Sequence, residues 1–231
     1  PPISNGKDSW FPSYIKVLAN SYVPAAQVPA LFVRVIPIFQ PSPTGGNIEK
    51  RTEELFCKEI DLIKEYLPKK AENIMDIGCG LGIINIYLND IYKNQPNFFL
   101  LDKNRIDRKI KYGFSSSYES YNDLNETKKI LLNNNININS INTVDVEKDI
   151  QINSKIDLVI SLKSMGYHYP INLYLELFKK CCHENTTFIF DVSEGYYNES
   201  LFNKYFNTVD IIYEEKSIHS LKRLFCTKFR K

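Results

Sequence analysis

The sequence has little net charge, only three histidines and no unbroken apolar run of membrane-spanning length. Its 29 basic and 27 acidic residues leave +2, which gives no overall attraction to nucleic acid or to an anionic membrane. Prolines, a glutamine and an arginine interrupt the apolar stretch YVPAAQVPALFVRVIPIF before it reaches the roughly 20 residues of a span. The opening PPISNGKDSW lacks the basic start of a signal peptide. We therefore expect no association with a membrane.

Cysteine is scarce, and its spacing gives no pairing pattern. The five cysteines are odd in number and lack metal-ligand spacing, which predicts reduced thiols in a cytoplasmic protein rather than a disulfide scaffold. In CCHEN the neighbouring side chains would point in different directions, so we predict no metal site there. The C-terminal stretch LKRLFCTKFRK is locally basic; we expect its charges to be solvated, and contact with RNA is the alternative.

Length and composition predict one globular domain with an appendage. The chain has 231 residues, of which 43% are hydrophobic and 24% charged. In residues 1–47, aromatic residues at helical spacing are followed by prolines, which predicts a helical and irregular appendage. We expect this appendage to act as a substrate lid over a domain formed by residues 48–231.

Strand-like and helix-like segments alternate from Asn73 onward. The predicted strands are 73–77, 97–102, 141–145, 156–161 and 186–191, and the predicted helices lie near 81–92, 117–134, 170–182 and 198–206. This alternation is typical of an α/β fold with a doubly wound, mostly parallel sheet. Two further strand-like runs, TVDIIYEE and LKRLFCTKF, follow one another directly and predict a C-terminal antiparallel hairpin that completes seven strands.

The stretch NIMDIGCGLG joins the first predicted strand to the following helix. Asp76 precedes three glycines, Gly78, Gly80 and Gly82, which allow a tight turn and a close approach of the backbone to a ligand. The third glycine comes one residue earlier than in the dinucleotide pattern G-x-G-x-x-G, which disfavours a nicotinamide oxidoreductase. An acid at this place suits an ammonium group better than a phosphate.

The segment DIGCGLG resembles the first motif of the class I S-adenosylmethionine-dependent methyltransferases. The resemblance covers about residues 48–228 and implies a Rossmann-like fold and S-adenosyl-L-methionine as cofactor. It also implies that Gly78, Gly80 and Gly82 border the methionine and ribose portions of that cofactor. Asp76 would organise its amino group, directly or through water.

The same resemblance assigns further cofactor contacts to the ends of the next strands. Asp102 ends NFFLLD, where an acid accepts hydrogen bonds from ribose hydroxyls. Asp145 and the backbone of Val146 are the predicted adenine contacts, with Asp149 as the competing choice. Ser161, at the end of the fourth strand, completes the predicted cofactor site.

The loop SLKSMGYHYP follows the fourth strand, where the family places the transferred methyl group. His168 has an ordinary pKa near 6.5 and could remove a proton from a hydroxyl, so we predict it as the catalytic base; packing between two tyrosines is the alternative. Lys163, Tyr167 and, from the appendage, Tyr14 are the predicted substrate contacts.

Several missing patterns narrow the chemistry. No N/D-P-P-Y/F sequence follows the fourth strand, that strand ends in serine rather than an acid, and the loop after it has no cysteine. Metal-independent O-methylation of a small molecule is therefore the predicted reaction. The alternatives are an RNA or protein methyltransferase with the same cofactor site, and a non-catalytic partner subunit that keeps the fold.

Overall fold

The structure is a computed structural model that describes residues 48–106, 121–165, 170–193, 197–216 and 220–230. The predicted appendage, residues 1–47, lies outside these ranges, so its helix and its role as a lid stay predictions. None of the described helices is both long and apolar enough to cross a membrane.

Helices and strands alternate along the described chain. The five helices are α1 (Ile48–Ile63), α2 (Ile83–Ile91), α3 (Leu124–Asn133), α4 (Leu175–Cys181) and α5 (Glu199–Tyr205). The strands are β1 (Asn73–Ile77), β2 (Asn97–Asp102), β3 (Arg105–Ile106), β4 (Tyr121–Asn122), β5 (Ile141–Asp145), β6 (Ile156–Ser161), β7 (Cys182–Ser193), β8 (Phe206–Glu215) and β9 (Leu221–Phe229). Every strand predicted for the main sheet is present.

Seven strands form one sheet in the order β5-β2-β1-β6-β7-β9-β8. The first five are parallel neighbours, and β9 pairs antiparallel with both β7 and β8. The predicted Rossmann-like α/β fold with a C-terminal antiparallel hairpin is confirmed. The two-residue strands β3 and β4, which form a separate ribbon, were not predicted.

The sheet has an apolar layer on each face, as expected when helices cover both faces. Met75 and Ile77 of β1 belong to one layer and Ile74 to the other, because successive side chains of a strand point to opposite faces. The first layer includes a cluster of phenylalanines. In it Phe188 lies 5.3, 5.0 and 5.9 Å, between ring centroids, from Phe178, Phe206 and Phe229.

The strand register brings several predicted site residues to one edge of the sheet. Asp102 at the end of β2 pairs with Asp145 at the end of β5, and Ser161 at the end of β6 pairs with Phe190 of β7. In open α/β sheets, ligands bind in the crevice outside the carboxyl ends of the strands. The fold therefore places the candidate site at this edge.

Candidate functional site

The glycine loop between β1 and α2 turns through three left-handed backbone positions. Gly78, Gly80 and Gly82 have φ of 70°, 52° and 71°. Four of its N–H groups are donated inside the protein: those of Gly78 and Cys79 to Leu101 O, that of Gly80 to Asp102 Oδ2 and that of Gly82 to Cys79 O. Because protein oxygens accept these four N–H groups, they are not offered to a pyrophosphate.

Gly78 is closely covered by the loop that follows β6. A Cβ atom at this position would lie 1.8 Å from Ser164 Oγ and 2.3 Å from Ser164 Cβ. Both the positive φ and the missing side chain are therefore needed for the contact between the two loops.

We expect Gly78→Ala to destabilise the protein chiefly through this contact. Overpacking against Ser164 should lower the free energy of unfolding by roughly 1–3 kcal/mol, measured by denaturant unfolding. The double variant Gly78→Ala/Ser164→Gly should regain the free energy of unfolding lost to this overpacking. It should keep only the loss caused by placing alanine at a positive φ. Equal stability of the single and double variants would show that Ser164 does not press on Gly78.

Asp102 fixes the glycine loop from the end of β2. Its Oδ2 accepts hydrogen bonds from Gly80 N at 2.8 Å and Asn122 Nδ2 at 3.0 Å, and its Oδ1 accepts one from Lys103 N at 2.8 Å. Burial raises the pKa of Asp102, although these three hydrogen bonds and the charge of Lys103 work in the opposite direction. Asp102 is thus a structural partner of the loop as well as a candidate ligand contact.

Asp76 is the most deeply buried acid of the glycine-loop region, with 3% of its surface exposed. Asn85 Nδ2, from α2, donates a hydrogen bond to its Oδ2 at 2.6 Å. Burial raises the pKa of Asp76 to about 7; the bond from Asn85 lowers it, and the charge of Asp102 raises it further.

The side-chain oxygen of Asn85 lacks a hydrogen-bond donor among the described residues. Asn85 Oδ1 is buried and accepts no hydrogen bond from any described residue. Its Nδ2 must face the carboxylate, since only the NH₂ group can donate. Asp76 and Asn85 therefore place acceptor oxygens of a carboxylate and an amide next to one another, a donor-poor pair that suits a cationic N–H group.

The predicted adenine contacts lie beside Asp102 at the end of β5. The N–H of Val146 donates to Asp102 O at 3.0 Å, so only its carbonyl is available to a ligand. Asp145 Oδ1 accepts from Glu147 N at 3.1 Å, and its Oδ2 lies 3.3 Å from Lys148 Nζ. The competing residue, Asp149, accepts a hydrogen bond from Gln151 Nε2 at 2.5 Å.

Ser161 has a clear structural task at the end of β6. Its hydroxyl is fully buried, donates to Ile77 O at 2.8 Å and accepts from Met165 N at 3.1 Å. These two bonds hold the start of the following loop against the end of β1. The hydroxyl hydrogen of Ser161 is therefore already donated to Ile77 O and is not available to a cofactor.

Lys163 lies in that loop with a positive φ of 57°. Its backbone N–H donates to Asp191 Oδ2 at 3.1 Å, and its ammonium lies 3.4 Å from Glu59 Oε1 of α1. The predicted substrate contact is thus tied to two acids, and its backbone conformation is one that side-chain-bearing residues rarely adopt.

Arg223 joins these two acids from β9. Its Nε and Nη2 donate to Asp191 Oδ1 and Oδ2 at 2.6 and 2.8 Å, and Nη2 also donates to Glu59 Oε2 at 2.6 Å. Burial alone would lower the pKa of Arg223, but the two carboxylates raise it, so this guanidinium stays charged. The expectation of solvated charge in LKRLFCTKFRK is wrong for this residue, which is 0% exposed.

Two of the three other basic side chains described in this stretch have protein partners, whereas Lys228 is exposed. Lys222 lies 3.5 Å from Glu214, and Arg230 donates to Asn207 and to the carbonyl of Asn203. Three of the four basic side chains described in this stretch are therefore held by other groups of the protein.

Three predicted residues lie outside the described ranges, namely His168, Tyr167 and Tyr14. Their roles as base and substrate contacts stay predictions. Among the described residues, no group of three or more His, Cys, Asp or Glu side chains could hold a metal ion.

Sequence reasoning missed three residues that shape the site: Asn85, Asn122 and Thr127. Asn85 could have been found, because it is a polar residue inside the apolar run IINIYL. Thr127 Oγ1 donates to Gly80 O at 2.7 Å, yet 47 positions separate the two residues. No local pattern reports a pairing of that kind.

Comparisons with known proteins establish the fold. No protein-family model and no curated protein matches the sequence. Among solved structures, a Nostoc punctiforme protein classed provisionally as an O-methyltransferase is 12% identical with a TM-score of 0.52, over 76% of this chain and 56% of that one. The T. thermophilus 16S rRNA N2 methyltransferase RsmC, solved with AdoMet and guanosine, is 12% identical with a TM-score of 0.51, over 75% of this chain and 42% of that one.

A further similar structure is a SAM-dependent methyltransferase from Aquifex aeolicus. It is 9% identical with a TM-score of 0.50, over 73% of this chain and 88% of that one. The three likenesses show that residues of this chain adopt the fold found in class I S-adenosylmethionine-dependent methyltransferases.

Proposed function

We propose that this chain, which has the fold of the class I methyltransferases, is an S-adenosylmethionine-dependent methyltransferase. The observation that carries the proposal is the buried pair of acceptors at the glycine loop. Asp76 is 3% exposed, and Asn85 Oδ1 accepts no hydrogen bond from the part of the chain that the structure describes. An ammonium group, which has three donors and a positive charge, suits both acceptors.

The donors and acceptors around the loop fit S-adenosylmethionine better than a dinucleotide. Four loop N–H groups are already donated to protein oxygens, so these four amides are not free to cradle a pyrophosphate. Asp76 and Asn85 would hold the amino group, Asp102 the ribose, and Asp145 with the Val146 carbonyl the adenine. When bound, this cofactor supplies a methyl group on a positively charged sulfur.

For the methyl acceptor we propose the hydroxyl of a small molecule, without a metal. Two features support this choice: β6 ends in Ser161 rather than an acid, and three of the four basic side chains described in residues 221–230 are held by other groups of the protein, while Lys228 is exposed. The second feature disfavours RNA as the acceptor. His168 is the proposed base, and a cytoplasmic location is proposed from the cysteine pattern; no disulfide joins the described cysteines.

The test is calorimetric titration of the protein with S-adenosylmethionine, S-adenosylhomocysteine and NADH. We expect micromolar binding of the first two and none of NADH. A screen of small hydroxyl compounds for methyl transfer then tests the acceptor class. Binding of NADH, or of none of the three, would overturn the proposed cofactor.

Cofactor affinity should depend on pH through Asp76. The carboxyl has a pKa of about 7 in the ligand-free protein and must be ionised against an ammonium. We therefore expect the affinity to fall roughly twentyfold between pH 7.5 and pH 5.5, and Asp76→Asn to remove this slope. Calorimetry at a series of pH values checks it.

Stability should respond to the same group with the opposite sign. A folded pKa raised from 3.8 to about 7 means that the stability contributed by this carboxyl is complete below pH 3.8 and is lost as the pH rises through 7. The difference in free energy of unfolding between the protein and Asp76→Asn should follow that course. A flat difference would show that Asp76 is not buried as described.

A further inference from the structure

Asn122 reaches into the glycine-loop region from the short ribbon of β3 and β4. It is 3% exposed, and its Nδ2 donates to Gly80 O at 2.9 Å and to Asp102 Oδ2 at 3.0 Å. Both hydrogens of this amide are thereby used. Asn122 is the one side chain among the described residues that donates a hydrogen bond to the Asp102 carboxylate.

Each of the two acceptors of Asn122 has a further donor. Thr127 Oγ1 also donates to Gly80 O, at 2.7 Å, so this carbonyl keeps a donor if Asn122 is removed. On Asp102 Oδ2 the other donor is Gly80 N, a backbone group held in place by the turn of the loop. Among the described residues, Asn122 is therefore the donor to Asp102 Oδ2 that a side-chain substitution can remove, whereas Gly80 O also accepts from the side chain of Thr127.

The carboxylate of Asp102 has little acceptor capacity left. A carboxylate offers about four lone-pair positions, two on each oxygen. Counting donors from the described residues, Oδ2 accepts from Gly80 N and Asn122 Nδ2 and Oδ1 accepts from Lys103 N, so at most one position, on Oδ1, remains. If both hydroxyls of a ribose donated to Asp102 at the same time, they would need two free lone-pair positions on its carboxylate.

We propose that Asn122 is a specificity-determining residue that occupies the position a second ribose hydroxyl would take on Asp102. The cofactor ribose is then recognised by Asp102 through a single hydroxyl. This inference rests on the proposed function, since it concerns how the same site binds S-adenosylmethionine and its product.

The experiment measures the affinity of S-adenosylhomocysteine and its 2′-deoxy and 3′-deoxy analogues by calorimetry. In the unmodified protein we expect one analogue to bind within about twofold of the parent and the other roughly tenfold more weakly, which is the size of one hydrogen bond to a charged group. A tenfold loss for both analogues, or for neither, would overturn the inference without needing any variant.

The variant Asn122→Ala gives the second test. We consider the deoxy analogue that binds the unmodified protein as tightly as S-adenosylhomocysteine does. In Asn122→Ala, where one position on Asp102 Oδ2 is free, the ratio of the affinity of S-adenosylhomocysteine to that of this analogue should rise from about 1 to roughly 10. Thr127→Val is the matched control, because it removes a donor from Gly80 O and a 3.5 Å contact with Asn122 Oδ1 but keeps the three donors of Asp102; its ratio should stay near 1. The same ratio in both variants contradicts the inference, whereas failure of S-adenosylhomocysteine itself to bind the unmodified protein removes the proposed function first.

Discussion

Replacing Asp76 with asparagine should weaken binding of S-adenosylmethionine by roughly 100-fold or more at pH 7.5, because removing one partner of a buried charge pair costs about 3–5 kcal/mol. The ligand-free variant should be at least as stable as the parent protein. The acid is 3% exposed, and its hydrogen-bonded side-chain partner, Asn85, is neutral. Calorimetry and thermal unfolding of the same samples measure both effects.

Opposite changes in affinity and stability distinguish a binding acid from a structural one. The control is Asp210→Asn, which makes the same charge change at an exposed position of β8 and should alter neither quantity. If Asp76→Asn binds S-adenosylmethionine as tightly as the parent protein, the amino group does not lie at Asp76 and the proposed function loses its main support.

Arg223→Met should lower the free energy of unfolding by about 3–5 kcal/mol, because it leaves buried carboxylates without their cation. Arg223 and Asp191 are both 0% exposed and share two hydrogen bonds of 2.6 and 2.8 Å. Methionine replaces the apolar stem of arginine but lacks the guanidinium, so the variant removes the charge and its hydrogen bonds while keeping the packing of the stem. Denaturant unfolding at pH 7.5 measures the change.

Two further variants separate the ion pair from general damage to β9. Arg230→Met removes an exposed guanidinium whose partners are Asn207 and the carbonyl of Asn203, and it should change stability by less than about 1 kcal/mol. The double variant Arg223→Met/Asp191→Asn should be less destabilised than the sum of the single variants, since removal of the second charge relieves the first loss. Additive effects would mean that the two charges do not interact.

The sequence patterns that predict the fold are local ones. Alternation of strands and helices, and the glycines after Asp76, are each readable within about ten residues, and the sheet and glycine loop follow from them. Asp102 and Asp145 could be placed together for the same reason, because parallel strands end at a common edge. Their register pairing confirms that placement.

The contacts that shape the site come from residues far apart in the chain. Arg223 bonds to Glu59 across 164 positions, and Asn122 bonds to Gly80 across 42. From the sequence alone, Arg223 in LKRLFCTKFRK is expected to be solvated. In the folded sheet it lies between Asp191 and α1. The sequence pattern places Asn122 in the helix predicted near 117–134, but that helix begins at Leu124 and Asn122 lies in β4, whose pairing with β3 is not local.

The position of β9 in the sheet bears on how the chain folds during its synthesis. This strand is the last of the seven to leave the ribosome, yet it lies between β7 and β8. Until residue 229 has emerged, β7 has an open edge, β8 has no neighbour and Asp191 lacks its arginine. Completion of this sheet therefore waits for the whole of β9, and a nascent chain stalled before Leu221 would expose a hydrogen-bonding edge to other proteins and to chaperones.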